Sequence, residues 1–165
     1  MIAQSEKQEL FDRIVTENKG RFIFIAKHYV SREDVADLYQ EIVKQIWMSL
    51  DRFESRSSPN TWAYSVAIHT AETFRRNDSR HLRAREQYRH HVGHSGQNYG
   101  HGRGEEEILE EFVKVLDEAD RSVFMLYLTN LSYSEISGIT GIQEPTLRVK
   151  INRIKTKFQK RYLGD

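Results

Sequence analysis

The sequence predicts an all-α protein, two small helical domains joined by a flexible linker, with a helix-turn-helix in the C-terminal domain. Three observations predict it. Apolar residues recur at three- and four-residue spacing over most of the chain, only 2 prolines interrupt 165 residues, and one central stretch loses both the periodicity and the apolar residues.

From about residue 6 to residue 30, Leu10, Ile14, Val15, Phe22, Ile25, Ala26 and Tyr29 mark one face of a helix, or of two helices broken near Gly20. A cleaner stripe over residues 32–53 (Val35, Leu38, Tyr39, Ile42, Ile46, Trp47, Leu50, Phe53) marks the next helix, with Ser31 and Asp34 placed as its N-terminal cap. After the loop RFESRSSPN, Ser58 as cap and Pro59 at the first helical position start a third helix reaching about Asn77. Residues 81–104, HLRAREQYRHHVGHSGQNYGHGRG, are rich in His and Gly, with Leu82 and Val92 as the larger aliphatics. Such a stretch buries too little apolar surface to offset its ordering entropy and reads as a linker between domains at 1–80 and 105–165.

The second domain reads as amphipathic helices near 108–116 and 120–128, then a short helix over 133–140 capped by Ser132. Gly141 supplies a turn, and Pro145 opens a longer helix running to about Tyr162. Ile136, Ile139, Ile142, Leu147 and Ile151 would form the shared core of a helix-turn-helix.

A formal net charge of +1, from 25 Lys+Arg against 24 Asp+Glu, conceals a sorted distribution. Between residues 105 and 120 the acids Glu105, Glu106, Glu107, Glu110, Glu111, Asp117, Glu118 and Asp120 face one base, Lys114. Between 145 and 161 only bases occur: Arg148, Lys150, Arg153, Lys155, Lys157, Lys160 and Arg161. A basic C-terminal segment is what phosphate contact requires. The lack of Cys excludes a disulfide scaffold, a thiolate zinc site and a thiol nucleophile. No apolar run approaches the ~18 residues of a membrane span, and MIAQSEKQEL lacks the order of a signal peptide, so a soluble cytoplasmic protein without direct membrane insertion is expected.

In a helix-turn-helix the N-terminal part of the second helix enters the major groove. Its outward residues here would be Glu144, Thr146, Arg148, Val149, Lys150, Asn152, Arg153, Lys155 and Lys157, with Arg suited to guanine, Asn to adenine and Lys to phosphate. Asp34, Asp37, Glu41 and Gln45 line one face of the second helix, a stripe that either is simply solvated or docks a basic helical partner. Asn60, Thr61, Trp62 and Tyr64 open the third helix, which ends in Arg75 and Arg76, a set suited to unpaired bases and their phosphates. Trp62 and Tyr64 cannot face the same way; the core is favoured for Trp62 and evenly balanced for Tyr64. His81, His90, His91, His94 and His101 invite a metal, but without fixed ligand spacing they read better as a polar linker. No nucleophile elbow, phosphate loop or dinucleotide glycine pattern occurs, so neither catalysis, a cofactor nor a metal is expected.

The order of these features resembles bacterial sigma factors of the extracytoplasmic-function (ECF) group. DVADLYQEIVKQIWMSLDRFESRSSPNTWAYSVAIHTAETFRR is similar to that family's first domain, and LSYSEISGITGIQEPTLRVKINRIKTKF to its second, with Ser137 in place of the commoner Ala and Pro145 in place of the commoner Gly. The resemblance implies a promoter-specificity subunit of RNA polymerase. Asp34, Asp37, Gln40, Glu41 and Gln45 would bind the clamp helices of the largest polymerase subunit. Arg56, Ser57, Ser58, Asn60, Thr61, Tyr64, Arg75 and Arg76 would hold the melted minus-10 element, and Glu144, Thr146, Arg148, Val149, Lys150, Asn152 and Arg153 would read the minus-35 duplex. An anti-sigma protein would be a further partner. The promoter elements of the family lie about 80 Å apart at ~3.4 Å per base pair. A 24-residue linker spans ~80–86 Å when fully extended, so it must be drawn out to engage both. The alternatives are a self-sufficient helix-turn-helix regulator and a His-rich metal-binding helical protein.

Overall fold

The computed structural model describes residues 3–89 and 104–164, with side chains for 3–80 and 104–164. Among these, α1 (Gln4–Tyr29), α2 (Val35–Ser49) and α3 (Pro59–Arg89) form one bundle. A second contains α4 (Glu105–Val115), α5 (Glu118–Leu128), α6 (Tyr133–Thr140) and α7 (Glu144–Tyr162). No strand occurs among the described residues.

The first bundle follows the apolar stripes. Ile14, Phe22 and Ile25 of α1 meet Leu38, Ile42 and Ile46 of α2, all essentially excluded from solvent. On α3, Ala63, Ala67 and Ala71 recur once per turn, so little side-chain bulk separates the neighbouring helices from its backbone. Each buried Leu or Ile contributes about 1.5–3 kcal/mol. Pro59 stands at the start of α3 and Ser58 Oγ accepts a hydrogen bond from the Thr61 amide at 3.1 Å, the expected cap.

Of the two alternatives for the first segment, the unbroken helix holds: α1 runs through Gly20, where an added Cβ would meet nothing within 4 Å. Two expectations change. Ser31 does not cap the backbone. A 3₁₀ turn over Arg32–Asp34 comes first, the Ser31 hydroxyl donates to Asp34 Oδ2 at 2.8 Å, and α2 begins at Val35. α3 extends to Arg89, past the end expected near Asn77, because HLRAREQYR holds mostly good helix formers and neither Gly nor Pro. The imidazole of His81, together with His90, His91, His94 and His101, lies outside the described residues.

In the second bundle Phe112 meets Phe124, Phe158 and Tyr162 edge-on, at centroid distances of 6.1, 5.1 and 6.2 Å. Ser132 and Glu135 form a reciprocal capping box at the start of α6, and Gly141 ends it in the left-handed region at φ 73°. Ile136, Leu147, Ile151 and Ile154 are fully buried, while Ile139 and Ile142 pack at the edge of this core. The two bundles touch: α4 lies on α1, and α5 and α6 lie on α3.

Candidate nucleic-acid and polymerase interfaces

The capped α6, the left-handed Gly141 and Pro145 in the first turn of α7 hold one face of α7 toward solvent. Thr146, Arg148, Val149, Asn152 and Arg153 are exposed on it, and Val149 is 69% exposed, an apolar group with no packing role. Arg148 Nη2 lies 3.7 Å from Glu144, and its guanidinium lies 4.4 Å from the Tyr133 ring centroid, which orients it near the start of the helix.

Not every base expected to face outward does so. Lys150 retains only 18% side-chain exposure because it reaches back to the Asp120 carboxylate, and Lys155 donates to the Tyr127 hydroxyl at 2.7 Å. Asp120, 1% exposed on α5, also has Arg153 at 3.3 Å and Lys157 at 3.8 Å. Burial alone would raise its pKa. The hydrogen bond from Lys150 and the charges of Lys150, Arg153 and Lys157 outweigh that and hold the carboxyl below the usual range. Sequence spacing could not pair Asp120 with a helix 30 residues away.

At the start of α3, Arg56 lies 2.6 Å from Glu54, Ser57 donates to the Ser58 carbonyl at 3.3 Å, and Ser58 Oγ donates to Thr61 Oγ1 at 2.9 Å. Ser55 has φ 55°, a conformation costing a non-glycine residue ~1–2 kcal/mol. Asn60 is tied into α1, accepting from Asn18 Nδ2 at 2.8 Å and donating to Glu17 at 3.4 Å. Trp62 is half-buried against Phe53, ring centroids 5.2 Å apart. Tyr64 is 1% exposed, its hydroxyl engaged by Arg21 and Asn18, so its ring faces the core and is not presented for stacking. Thr61 is also buried, and its hydroxyl donates to Glu135 Oε1 of α6 at 2.9 Å.

Arg75 and Arg76 lie four turns further along α3, about 22 Å from Asn60 at 1.5 Å rise per residue. They are not gathered with the loop. Arg75 donates to the Lys114 carbonyl at 2.8 Å, and Arg76 lies 3.6 Å from Glu118. Between them and α5 is a polar seam that sequence reasoning missed. Glu72, 3% exposed, receives Arg121 at two points, 3.0 and 3.2 Å, and the Ser122 hydroxyl at 3.2 Å. The available signal was Glu72 continuing the four-residue spacing of Tyr64 and Ile68 on the apolar side of α3.

On α2, Asp37 and Gln40 are exposed, and Asp34, Glu41 and Gln45 are half-exposed. Lys44 at 2.6 Å and Gln45 at 2.8 Å hydrogen-bond Glu41 and lower its pKa. Met48, 60% exposed, follows Gln45 on the same face. Among the described residues no group of three or more His, Cys, Asp or Glu could hold a metal, and no helix is long and apolar enough to cross a membrane.

A helical bundle with an acidic and amide outer face, followed by a basic helix-turn-helix, defines a two-part helical transcription factor. Residues 14–81 match sigma-70 region 2, and residues 106–158 match sigma-70, region 4. The chain belongs to the sigma factors, in their ECF group, and is a transcription initiation factor. It is 24% identical over 94% of its length to the ECF RNA polymerase sigma-E factor of Haemophilus influenzae, covering 89% of that protein. Its Escherichia coli K12 counterpart is 25% identical over 92% of this chain and 86% of its own length. Two solved structures share the fold at 17% identity. CnrH in complex with the cytosolic domain of CnrY has a TM-score of 0.67, covering 96% of this chain and 90% of that one. The sigma factor RpoE in complex with the anti-sigma factor NepR from Bartonella quintana has a TM-score of 0.66, with 96% of each chain covered.

Proposed function

We propose that this sigma factor docks on the clamp helices of the largest RNA polymerase subunit through Asp34, Asp37, Gln40, Glu41 and Gln45. The loop at residues 56–60 and the start of α3 then hold the melted minus-10 strand, and the α7 face reads the minus-35 duplex. The observation that carries this reading is the pairing, on one chain, of an exposed acidic and amide α2 face with a solvent-facing α7 start bearing Thr146, Arg148, Val149 and Asn152. The first suits a basic protein surface; the second suits base edges, with Val149 placed for a thymine methyl group. The protein makes and breaks no covalent bonds itself. Arg75 and Arg76, turned to the second bundle, would serve DNA only after the bundles part. The likeness to a chain solved with the anti-sigma factor NepR supports an anti-sigma partner here as well.

Adding the protein to core polymerase on genomic templates should give transcripts with defined start sites. Tight, specific duplex binding by the free protein without polymerase would instead mark a self-sufficient regulator. Reversing Asp37 and Glu41 to Lys should abolish association with core enzyme in a pull-down while circular dichroism stays unchanged. Arg148→Ala should weaken minus-35 binding by about 1–3 kcal/mol, with relaxed preference at one base pair. Equal loss on every sequence would assign Arg148 to phosphate instead.

A further inference from the structure

We infer that α1 supplies part of a base-reading surface: Glu17, side by side with Asn60, selects an amino base, cytosine or adenine, in the single strand held at the start of α3, and the buried Asn18 turns the Asn60 amide for that task. The inference deepens the proposed function and rests on assigning the start of α3 to the melted strand.

Hydrogen-bond polarity fixes the amide. Arg21 can only donate, and it gives a hydrogen to the Tyr64 hydroxyl, so that hydroxyl passes its own hydrogen on to Asn18 Oδ1. Asn18, 1% exposed, therefore turns its NH2 group the other way, where it donates to the Ile14 carbonyl and to Asn60 Oδ1, both at 2.8 Å. Asn60 is left with its oxygen inward and its NH2 outward, 3.4 Å from the exposed Glu17 carboxylate. Arg21 as a pure donor and Ile14 O and Glu17 as pure acceptors agree on this one orientation.

The surface thus presents an acceptor and a donor side by side. A carboxylate repels backbone phosphate, so what faces Glu17 in a bound strand is a base edge. A strand held on the loop at residues 56–60 keeps its sugars there, and a base turned toward α1 offers Glu17 the group farthest from its sugar. In cytosine and adenine that group is an exocyclic amine, and the ring nitrogen beside it accepts from Asn60. In thymine and guanine it is a carbonyl oxygen beside an N–H, so acceptor would meet acceptor and donor would meet donor. Tyr64, whose ring is withheld from stacking, acts here through its hydroxyl as one link in the chain that sets Asn60.

The test uses holoenzyme on a promoter mapped by run-off transcription, with each minus-10 position changed in turn to all four bases and transcript yield as the readout. At one position the wild type should favour cytosine or adenine over thymine and guanine by about tenfold or more. Glu17→Gln, whose amide both donates and accepts, should bring that ratio to within about twofold while preferences at the other positions hold. Asn18→Leu should lower the ratio at the same position, because the Asn60 amide is then free to turn over, and Tyr64→Phe should do so more weakly, since Ile14 still orients Asn18. If Asn18→Leu fails to fold by circular dichroism, Glu17→Gln on the exposed surface carries the test. Full preference retained in Glu17→Gln, no amino-base preference at any position in the wild type, or equal loss at every position overturns the inference. A photo-crosslinker on Arg56→Cys, in a chain with no other Cys, reports separately on the placement of the strand. Labelling of the minus-10 segment without amino-base selection rejects the selection alone; no labelling rejects the placement and the inference with it.

Discussion

Glu72 and Asp120 are both carboxylates shut away from solvent, yet they hold different things in place. Asp120 gathers Lys150, Arg153 and Lys157 from α7 of its own bundle, whereas Glu72 takes Arg121 from the other bundle. The contrast is built on adjacent residues of α5. Asp120 and Arg121 are about 100° apart around the helix, so the acid faces α7 and the base faces α3. One helix thereby sets both the seat of α7 and the docking of the two bundles. The settings differ in how well they are sealed. Arg153 and Lys157 keep 58% and 55% side-chain exposure while serving Asp120, but both members of the Glu72 pair are buried.

Removing one partner of the sealed pair should have the largest effect. Glu72→Leu leaves the Arg121 guanidinium buried without its counter-charge and should cost up to about 3–5 kcal/mol in urea unfolding; adding Arg121→Met should recover most of it. Failure of the double variant to recover would assign the loss to packing around Tyr29 and Ser122, not to charge. Asp120→Asn should cost less, about 1–3 kcal/mol, because Arg153 and Lys157, more than half exposed, can turn to water. Its pH signature is specific. A carboxyl held below its unfolded value contributes stability that is complete above ~3.9 and is lost as pH falls through the lower folded-state value. Thermal midpoints taken at pH 6 and about pH 3 should therefore fall further for wild type than for Asp120→Asn. Lys157→Ala, removing the most distant of the three cations at 3.8 Å, should change stability by less than about 0.5 kcal/mol and be lost in high salt.

Local features were the legible ones. The Ser132 cap, the turn at Gly141 and the apolar partners Ile136, Leu147 and Ile151 are all encoded within 20 residues, and the structure has them as expected. The Ser58 cap and Pro59 mark the start of α3 for the same reason. Lys150 was misplaced because helical periodicity ranks faces and cannot see a buried acid on α5. Tyr64 stood undecided until α1 supplied Asn18 and Arg21 for its hydroxyl, which fills a polar requirement inside the core. Trp62, favoured for the core, is only half-buried, at the bundle's edge beside Phe53.

By itself the sequence determined the all-helical class, the helix-turn-helix, its basic second helix and the family, because caps, turns and apolar periods act over a few residues. Only the tertiary structure decided which cations face solvent, which are spent on Asp120, and that the two bundles meet through Glu72 and Arg121. Those outcomes depend on charges brought together from 30 to 50 positions apart, where burial strengthens each pairing and no local pattern records the partner.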